Sequence, residues 1–198
     1  MSLRISESGA RISGSKTANT EYVVATDGIE TLSIHCVYTV APVTAKTFVA
    51  AGVDIVNNQV TSTAHGFATG RKIALTGAGL PTGLTATNYW MIEVDANTLK
   101  FAATLVDAQA GTAIDLTAVG TGTSTMTPAA LTSCLVKLQE SNDANSSYID
   151  ISGSSQAITV TGSNFFKPNV SAAFVKIKFE IGDGQVDIST FTCGKAYT

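Results

Sequence analysis

The side chains of this sequence that could do chemistry are two histidines, three cysteines and a scatter of aspartates. His65 lies in "TSTAHGFATGRKIALTGAGLPTGL" (61–84), close to Arg71 and Lys72 and among glycines and threonines. A phosphate cradle would need G-x-x-x-x-G-K-[ST] opening a helix, but here the lysine follows Arg71 and leads into an apolar strand. A serine hydrolase would need a G-x-S-x-G nucleophile elbow, which the sequence lacks. His35 falls on the polar phase of a strand with no acidic neighbour in register, so it has neither a catalytic nor a metal-binding companion. Cys36, Cys134 and Cys193 are far apart and form no C-x-x-C pair, which argues against zinc. They read as buried free thiols, with Cys36 and Cys134 on the apolar phase. Asp143, Asp150, Asp183 and Asp187 sit near turns in "DANSSYID" and "GDGQVD" and could be imagined around calcium. Their spacing fits no EF-hand or repeat, and solvated turn residues account for them. No acid, base and nucleophile converge, so the expectation is a protein without catalytic residues, cofactor or metal, and not an enzyme.

Composition narrows the class. Of 198 residues, 44% are hydrophobic and only 14% charged, against about 25% charged in typical soluble proteins. Such a chain can build a core, and its hydroxyl-rich, charge-poor surface suits burial against neighbouring subunits. The net charge is −3 with no basic block, so the electrostatic footprint of a nucleic-acid binder is missing. No apolar run approaches the roughly 20 residues of a membrane-spanning helix. The opening "MSLRISESGARISGSKTANT" has no apolar signal-peptide core, which leads to the expectation of synthesis in a cytoplasm without export by that route.

These residues must be positioned by strands. "LSIHCVYTV" (32–40) alternates, with Leu32, Ile34, Cys36, Tyr38 and Val40 on one phase, and "FVKIKFEI" (174–181) does so most clearly, with Val175, Ile177, Phe179 and Ile181 inward. "SCLVKLQE", "SYIDIS" and "QAITVTG" add strands, and "GDG" (182–184) turns into "QVDISTFTC". The only helical hint is "TLVDAQAG" (104–111). Residues 1–20 lack periodicity and read as a flexible N-terminal arm. Between borders near Pro42 and Pro128 the chain becomes Thr/Ala/Gly-rich, with very short strands suited to a small barrel. The expected organisation is all-β: an antiparallel, jelly-roll-like β-sandwich made of 21–43 and 131–198, with a small β-barrel (44–130) inserted in one loop, where insertion is entropically cheap.

Within the insert, "HGF.TG", then "LP.GL", an aromatic-led "Y..I.VD.NT.K.A" and an Ala/Gly run ending in "GTGT" resemble a β-module common in bacteriophage tail and other virion structural proteins. The module also resembles a small barrel of ubiquitin-activating enzymes, although nothing else in the chain looks like such an enzyme. In the outer domain, "VKLQESNDANSSYIDISG" with "AAFVKIKFEIGDGQVDIS" more loosely resembles phage β-sandwich proteins. The resemblance implies structural roles: Gly66 and Gly70 in turns, Phe67 in the core, His65 bonding the turn, Pro81 and Gly83 shaping a reversal, and Tyr89 packed inward. Trp90 would then point the other way, towards an interface or solvent, where a protein contact or sugar stacking could use it. The implied function is that of a non-enzymatic virion structural protein decorating or stabilising the capsid, with a tail or neck component, or a carbohydrate- or receptor-binding module of a tail, as alternatives. Implied partners are other virion proteins (major capsid, neck or tail protein) and further copies of the chain, a trimer among them, with a glycan receptor as the alternative.

Overall fold

The structure is a computed structural model that describes residues 2–6, 11–26, 29, 31–145, 147–169 and 171–197. The chain divides into two compact units, Met1–Ala41 with Ser133–Gly182 and Val186–Thr198, and Pro42–Thr132 with Asp183–Gln185. In chain order the strands are β1 (Ser2–Ser6), β2 (Ser13–Lys16), β3 (Thr20–Ala25) and β4 (Thr31–Val40) in the first unit. The second unit holds β5 (Lys46–Val49), β6 (Val53–Asp54), β7 (Gln59–Thr61), β8 (Lys72–Gly77), β9 (Asn88–Asp95), β10 (Thr98–Ala102), helix α1 (Leu105–Ala110) and β11 (Thr123–Pro128). The first unit then resumes with β12 (Cys134–Ser141), β13 (Ile149–Asp150), β14 (Gln156–Ala157), β15 (Gly162–Phe166), β16 (Phe174–Ile181) and β17 (Val186–Tyr197).

The first unit is a jelly roll, and its strand order shows this directly. One sheet runs β15-β4-β17, with β1 and β2 both on the far edge of β17. The other runs β3-β16-β12, with β13 and β14 both on β12. Lettering β2, β3, β4, β12, β13/β14, β15, β16 and β17 as B to I, the sheets read B-I-D-G and C-H-E-F, the two interlocked Greek keys of a jelly roll. The chain is therefore all-β, as the alternation indicates, and the insert occupies the D–E connection. Leu32, Ile34, Cys36 and Tyr38 of β4 are buried, as are Cys134, Val136 and Leu138 of β12 and Val175, Ile177, Phe179 and Ile181 of β16. Val40 is half-buried.

The described part of the expected arm, residues 2–6 and 11–20, is not free but contributes strands to the first unit. Ser13–Lys16 pair with Val186–Ser189, Ser2–Ser6 pair with Cys193–Tyr197, and Ile12 is buried with its N–H donating to Thr190 Oγ1 at 2.8 Å. "SGSK" has no apolar phase to betray a strand. It becomes one because the long β17 offers a free edge whose backbone groups need partners. Residues 1 and 7–10 of the expected arm lie outside the described residues.

In the second unit the sheet order is β5-β11-β8-β9-β10-β7-β6. Its two end strands, β5 and β6, are one stretch of chain interrupted by a single 3₁₀ turn at Ala50–Gly52. That stretch pairs with β11 at one end and β7 at the other, so the sheet closes on itself as a small barrel. Ser62 Oγ reinforces the seam by donating to Thr47 O at 2.9 Å. Phe48, Val60, Phe67, Ile73, Leu75, Tyr89, Met91, Leu99, Phe101 and Met126 fill the interior. Helix α1 matches the hint at 104–111. Thr104 Oγ1 accepts from Asp107 N and donates to Asp107 Oδ2, and Gly111 closes the helix in the left-handed region at φ 75°.

The ends of the insert leave the jelly roll close together, since Val40 pairs with Val186 and Ser133 O accepts from Gly182 N at 2.8 Å across the short 182–186 turn. Replacing 44–130 with a short Gly/Ser bridge should therefore leave a cooperatively unfolding jelly roll, measured by urea denaturation followed by circular dichroism. In the intact chain, Phe179→Ala should cost about 3–5 kcal/mol in the same measurement, and deletion of 1–16 should lower the melting temperature, because it removes the B strand.

Candidate functional site

The residues singled out around His65 are structural members of the barrel. His65 is 2% exposed. Its Nδ1 accepts from Phe67 N at 3.0 Å, and its Nε2 lies 2.8 Å from Asp95 O. A carbonyl can only accept, so the ring is the Nε2–H tautomer with both nitrogens engaged by backbone. No ring nitrogen is left to take a proton from a substrate. Gly66 and Gly70 adopt positive φ of 69° and 87°, and Phe67 packs in the core with its ring 5.7 Å from that of His65. Pro81 is buried. Gly83, at φ 108°, must be glycine, because a Cβ there would stand 2.1 Å from Asp115 O. The Tyr89 hydroxyl accepts from Thr85 N at 2.9 Å and its ring meets Phe101 edge-on at 5.7 Å. Ala64 also takes a positive φ, 48°, which no sequence signal marked.

Trp90 alternates with buried Tyr89 and Met91 and faces out of the barrel, half-buried. The Lys72 ammonium lies 5.5 Å from its ring centroid and is held by Asp183 at 2.8 Å. A sugar stacking on Trp90 would have to displace that cation. Neighbouring Arg71 is 1% exposed. Its Nη2 donates to Pro42 O at 3.4 Å while Nε and Nη1 lack a protein partner, and desolvation lowers its pKa.

The four aspartates are not brought together. Asp183 pairs with Lys72, Asp150 accepts from Gln139 and Lys137, Asp143 Oδ1 accepts from Asn145 N, and Asp187 accepts from the Ser15 hydroxyl. Among the described residues, no group of three or more His, Cys, Asp or Glu side chains could hold a metal ion. No helix among them is long and apolar enough to cross a membrane.

What the jelly roll does display is a contrast between its two outer sheet faces. On the β3-β16-β12 sheet the outward face carries a cluster of paired charges beside Val23 and Leu135. Lys137 and Lys178 both reach Glu180, at 3.0 and 2.9 Å, and Lys176 reaches Glu21 at 3.0 Å and lies 4.1 Å over the Tyr148 ring. Hydrogen bonds from Lys178 and then Lys137 hold the Glu180 carboxyl below its ordinary value, and the bond that Lys137 donates to Glu180 raises the pKa of Lys137. On the β15-β4-β17 sheet the outward row is Phe165–His35–Phe191, adjacent in register, and the next row centres on Val37. Phe165 is 58% exposed, Phe191 43% and Val37 37%. The expected polar phase of β4 is thus the middle of an apolar stripe, and His35 lies 6.1 Å from the Phe165 ring. The phase of "QVDISTFTC" could have placed Phe191 outward, opposite Val186 and Ile188. "GSNFF" could not reveal which phenylalanine points out.

Cys36 and Cys134 are buried, and desolvation pushes their thiols up to about 12 and about 11. Cys193 departs from the buried reading and is exposed.

No protein-family model matches the chain, and no curated protein matches it. Among solved structures the chain is similar to one described as "CBM4 structure and function", at 9% identity and a TM-score of 0.28, over 98% of this chain and 66% of that one, just under two thirds of its length. It is also similar to the Yersinia pseudotuberculosis-derived mitogen YPM, at 5% identity and a TM-score of 0.30, over 100% of this chain and 86% of that one. A third similarity is to VP17, a capsid protein of bacteriophage P23-77, at 10% identity and a TM-score of 0.22, over 98% and 92% of the two chains. At such TM-scores the fold rests on the strand order, not on the likeness.

His65→Ala should destabilise the barrel by about 1–3 kcal/mol, since it strands a buried backbone N–H and C=O, and thermal melts should register the loss. Iodoacetamide at neutral pH should label Cys193 in the folded protein, and Cys36 and Cys134 only after denaturation, as read by mass spectrometry. A raised thiol contributes stability that is complete below its ordinary value of 9.0 and is lost as pH rises towards 12. Cys36→Ala should therefore flatten the alkaline decline of urea stability. Glu180 has the opposite sign: its contribution is complete above 4.5 and lost as pH falls through its lowered value. Glu180→Gln should flatten the acid limb.

Proposed function

We propose that this chain is a non-enzymatic structural protein of a bacteriophage virion, which docks on a neighbouring virion protein through the outer face of its β15-β4-β17 sheet and carries the barrel on its D–E connection. The observation that carries the reading is the face itself: a Phe165–His35–Phe191 row with Val37 beside it, while the opposite sheet carries a cluster of ion pairs on its outer face. Exposed aromatics on a rigid sheet are costly in water and are the anchors from which protein interfaces are built. Support also comes from the jelly-roll topology, an architecture used by capsid and lectin domains, and from the module resemblance in the insert. The engagement of both His65 nitrogens by backbone supports a non-catalytic reading. Self-association into a closed oligomer is the companion proposal, read as absolute mass on a sizing column. Decoration of the capsid is preferred to a tail or neck position because the chain carries no long repeat of the kind that builds an extended fibre.

The test uses particles of the encoding phage that lack this protein. The purified full chain should co-sediment with them, and Phe165→Ser combined with Phe191→Ser should lose at least tenfold in binding with its melting temperature kept within a few degrees. Undiminished binding by the double variant would overturn the docking face, and failure of the unaltered chain to bind would overturn the virion reading.

A further inference from the structure

The proposed docking face has a histidine at its centre. His35 sits in register between Phe165 of β15 and Phe191 of β17. It is half-buried, and its ring lies 6.1 Å from that of Phe165. Histidine is the side chain whose charge changes between about pH 5 and 8. The chain has one other histidine, His65, which is 2% exposed in the barrel with both ring nitrogens held by backbone.

The surroundings of His35 contain nothing that would hold an imidazolium. On the same outward phase its neighbours are Ser33 and Val37 on β4, Ser163 on β15, and Ser189 and Cys193 on β17. The one carboxylate in register on this face among the described residues is Asp187, opposite Thr39. Thr39 is four residues along β4 from His35, about 13 Å, and Asp187 already accepts from the Ser15 hydroxyl. The charge against the row itself is a cation, since Lys167 Nζ stands 5.4 Å over the Phe165 ring. Lys195 and Arg4 take paired register positions in line with Thr31. Beneath the row, the inward residues are Asn164, Cys36 and Thr190. They bring no charge: burial keeps the Cys36 thiol protonated, and Asn164 is an amide whose Nδ2 is buried without a partner in the protein.

A protonated His35 therefore has water as its strong partner. A protein that covers Phe165 and Phe191 must cover His35 as well, because it lies between them. Covering it removes that water, and an unpaired charge taken out of water costs far more than the face of a phenylalanine returns. The neutral ring, with one N–H donor and one acceptor nitrogen, carries no such penalty.

We infer that docking through this face is proton-linked: the chain docks with His35 neutral and is released as His35 takes up a proton. The inference rests on the docking reading of the face and names how that contact is regulated. An imidazole in water titrates near 6.5. By linkage, docking is at full strength above that value and is lost as pH falls below it, by about tenfold near pH 5.5 where the neutral form alone docks.

The test is co-sedimentation of the full chain with particles of the encoding phage that lack it, near pH 7.5, 6.5 and 5.5 at constant ionic strength. The unaltered chain should bind about tenfold more weakly at the lowest pH than at the highest, and its affinity should return when the pH is raised. His35→Phe, and His35→Thr as a second strand-compatible variant, should show no such decline, because neither takes up the proton. Melts of each free chain at the same pH values separate a change in folding from a change in docking. Affinity that is unchanged in acid would overturn the inference and leave the docking face standing. So would affinity that rises in acid, as it would if the partner aimed a carboxylate at His35, or that falls equally in both variants. Failure of the unaltered chain to bind at any of these pH values would overturn the docking reading itself, and the inference with it.

Discussion

The pairing of β4 with β17 is the interaction on which the jelly roll depends. Ten consecutive positions, from Val40 opposite Val186 to Thr31 opposite Lys195, are in register. This ladder joins a strand near the start of the chain to its last strand, so it holds the long-range topology together. It also sets the side-chain phase for its whole sheet. With Cys36 opposite Thr190 inward, His35 must lie opposite Phe191 outward, and β15 adds Asn164 inward and Phe165 outward in the same rows. A one-residue slip would bury His35 and expose Ile34 and Cys36, and the hydrophobic cost of that exchange keeps the register fixed.

The proposed docking face follows from that phase. The outward row becomes an apolar stripe because two phenylalanines flank a histidine on a sheet with few charges. The inward row places one amide where the core would otherwise take a hydrocarbon. The second sheet makes the contrast legible, since the centre of its outward face holds lysines and glutamates that pair with one another. Exposed pairs of this kind add little stability, but they keep that face wetted.

The barrel solves a different problem. Its strands are too short to bury an open sheet stably, and closure through the kinked β5–β6 stretch removes both edges at once. His65, Gly66, Gly70, Gly83 and Tyr89 serve that closure and the turns around it. This is why a motif with the look of a catalytic loop resolves into backbone hydrogen bonds and tight reversals.

Alternation in 32–40, Val37 apart, and in 174–181 was enough, without coordinates, to give an all-β chain and its inward residues, because a half-buried strand writes its burial into every second residue, while the Thr/Ala/Gly-rich short strands of 44–130 marked the insert. The short helix was hinted at in 104–111, and the structure shows its local cause, a capping Thr104 and a closing Gly111. Other features were settled only by tertiary structure. "SGSK" is a strand because β17 has an edge to fill, and the barrel closes because β5 and β6 find partners far apart in the chain. Phe165 rather than Phe166 faces out because β15 takes its phase from β4, and Asn164 is an orphaned donor because the same phase turns it inward. These outcomes depend on which strand pairs with which and in what register, and non-local pairing leaves no periodic mark on the segment it recruits.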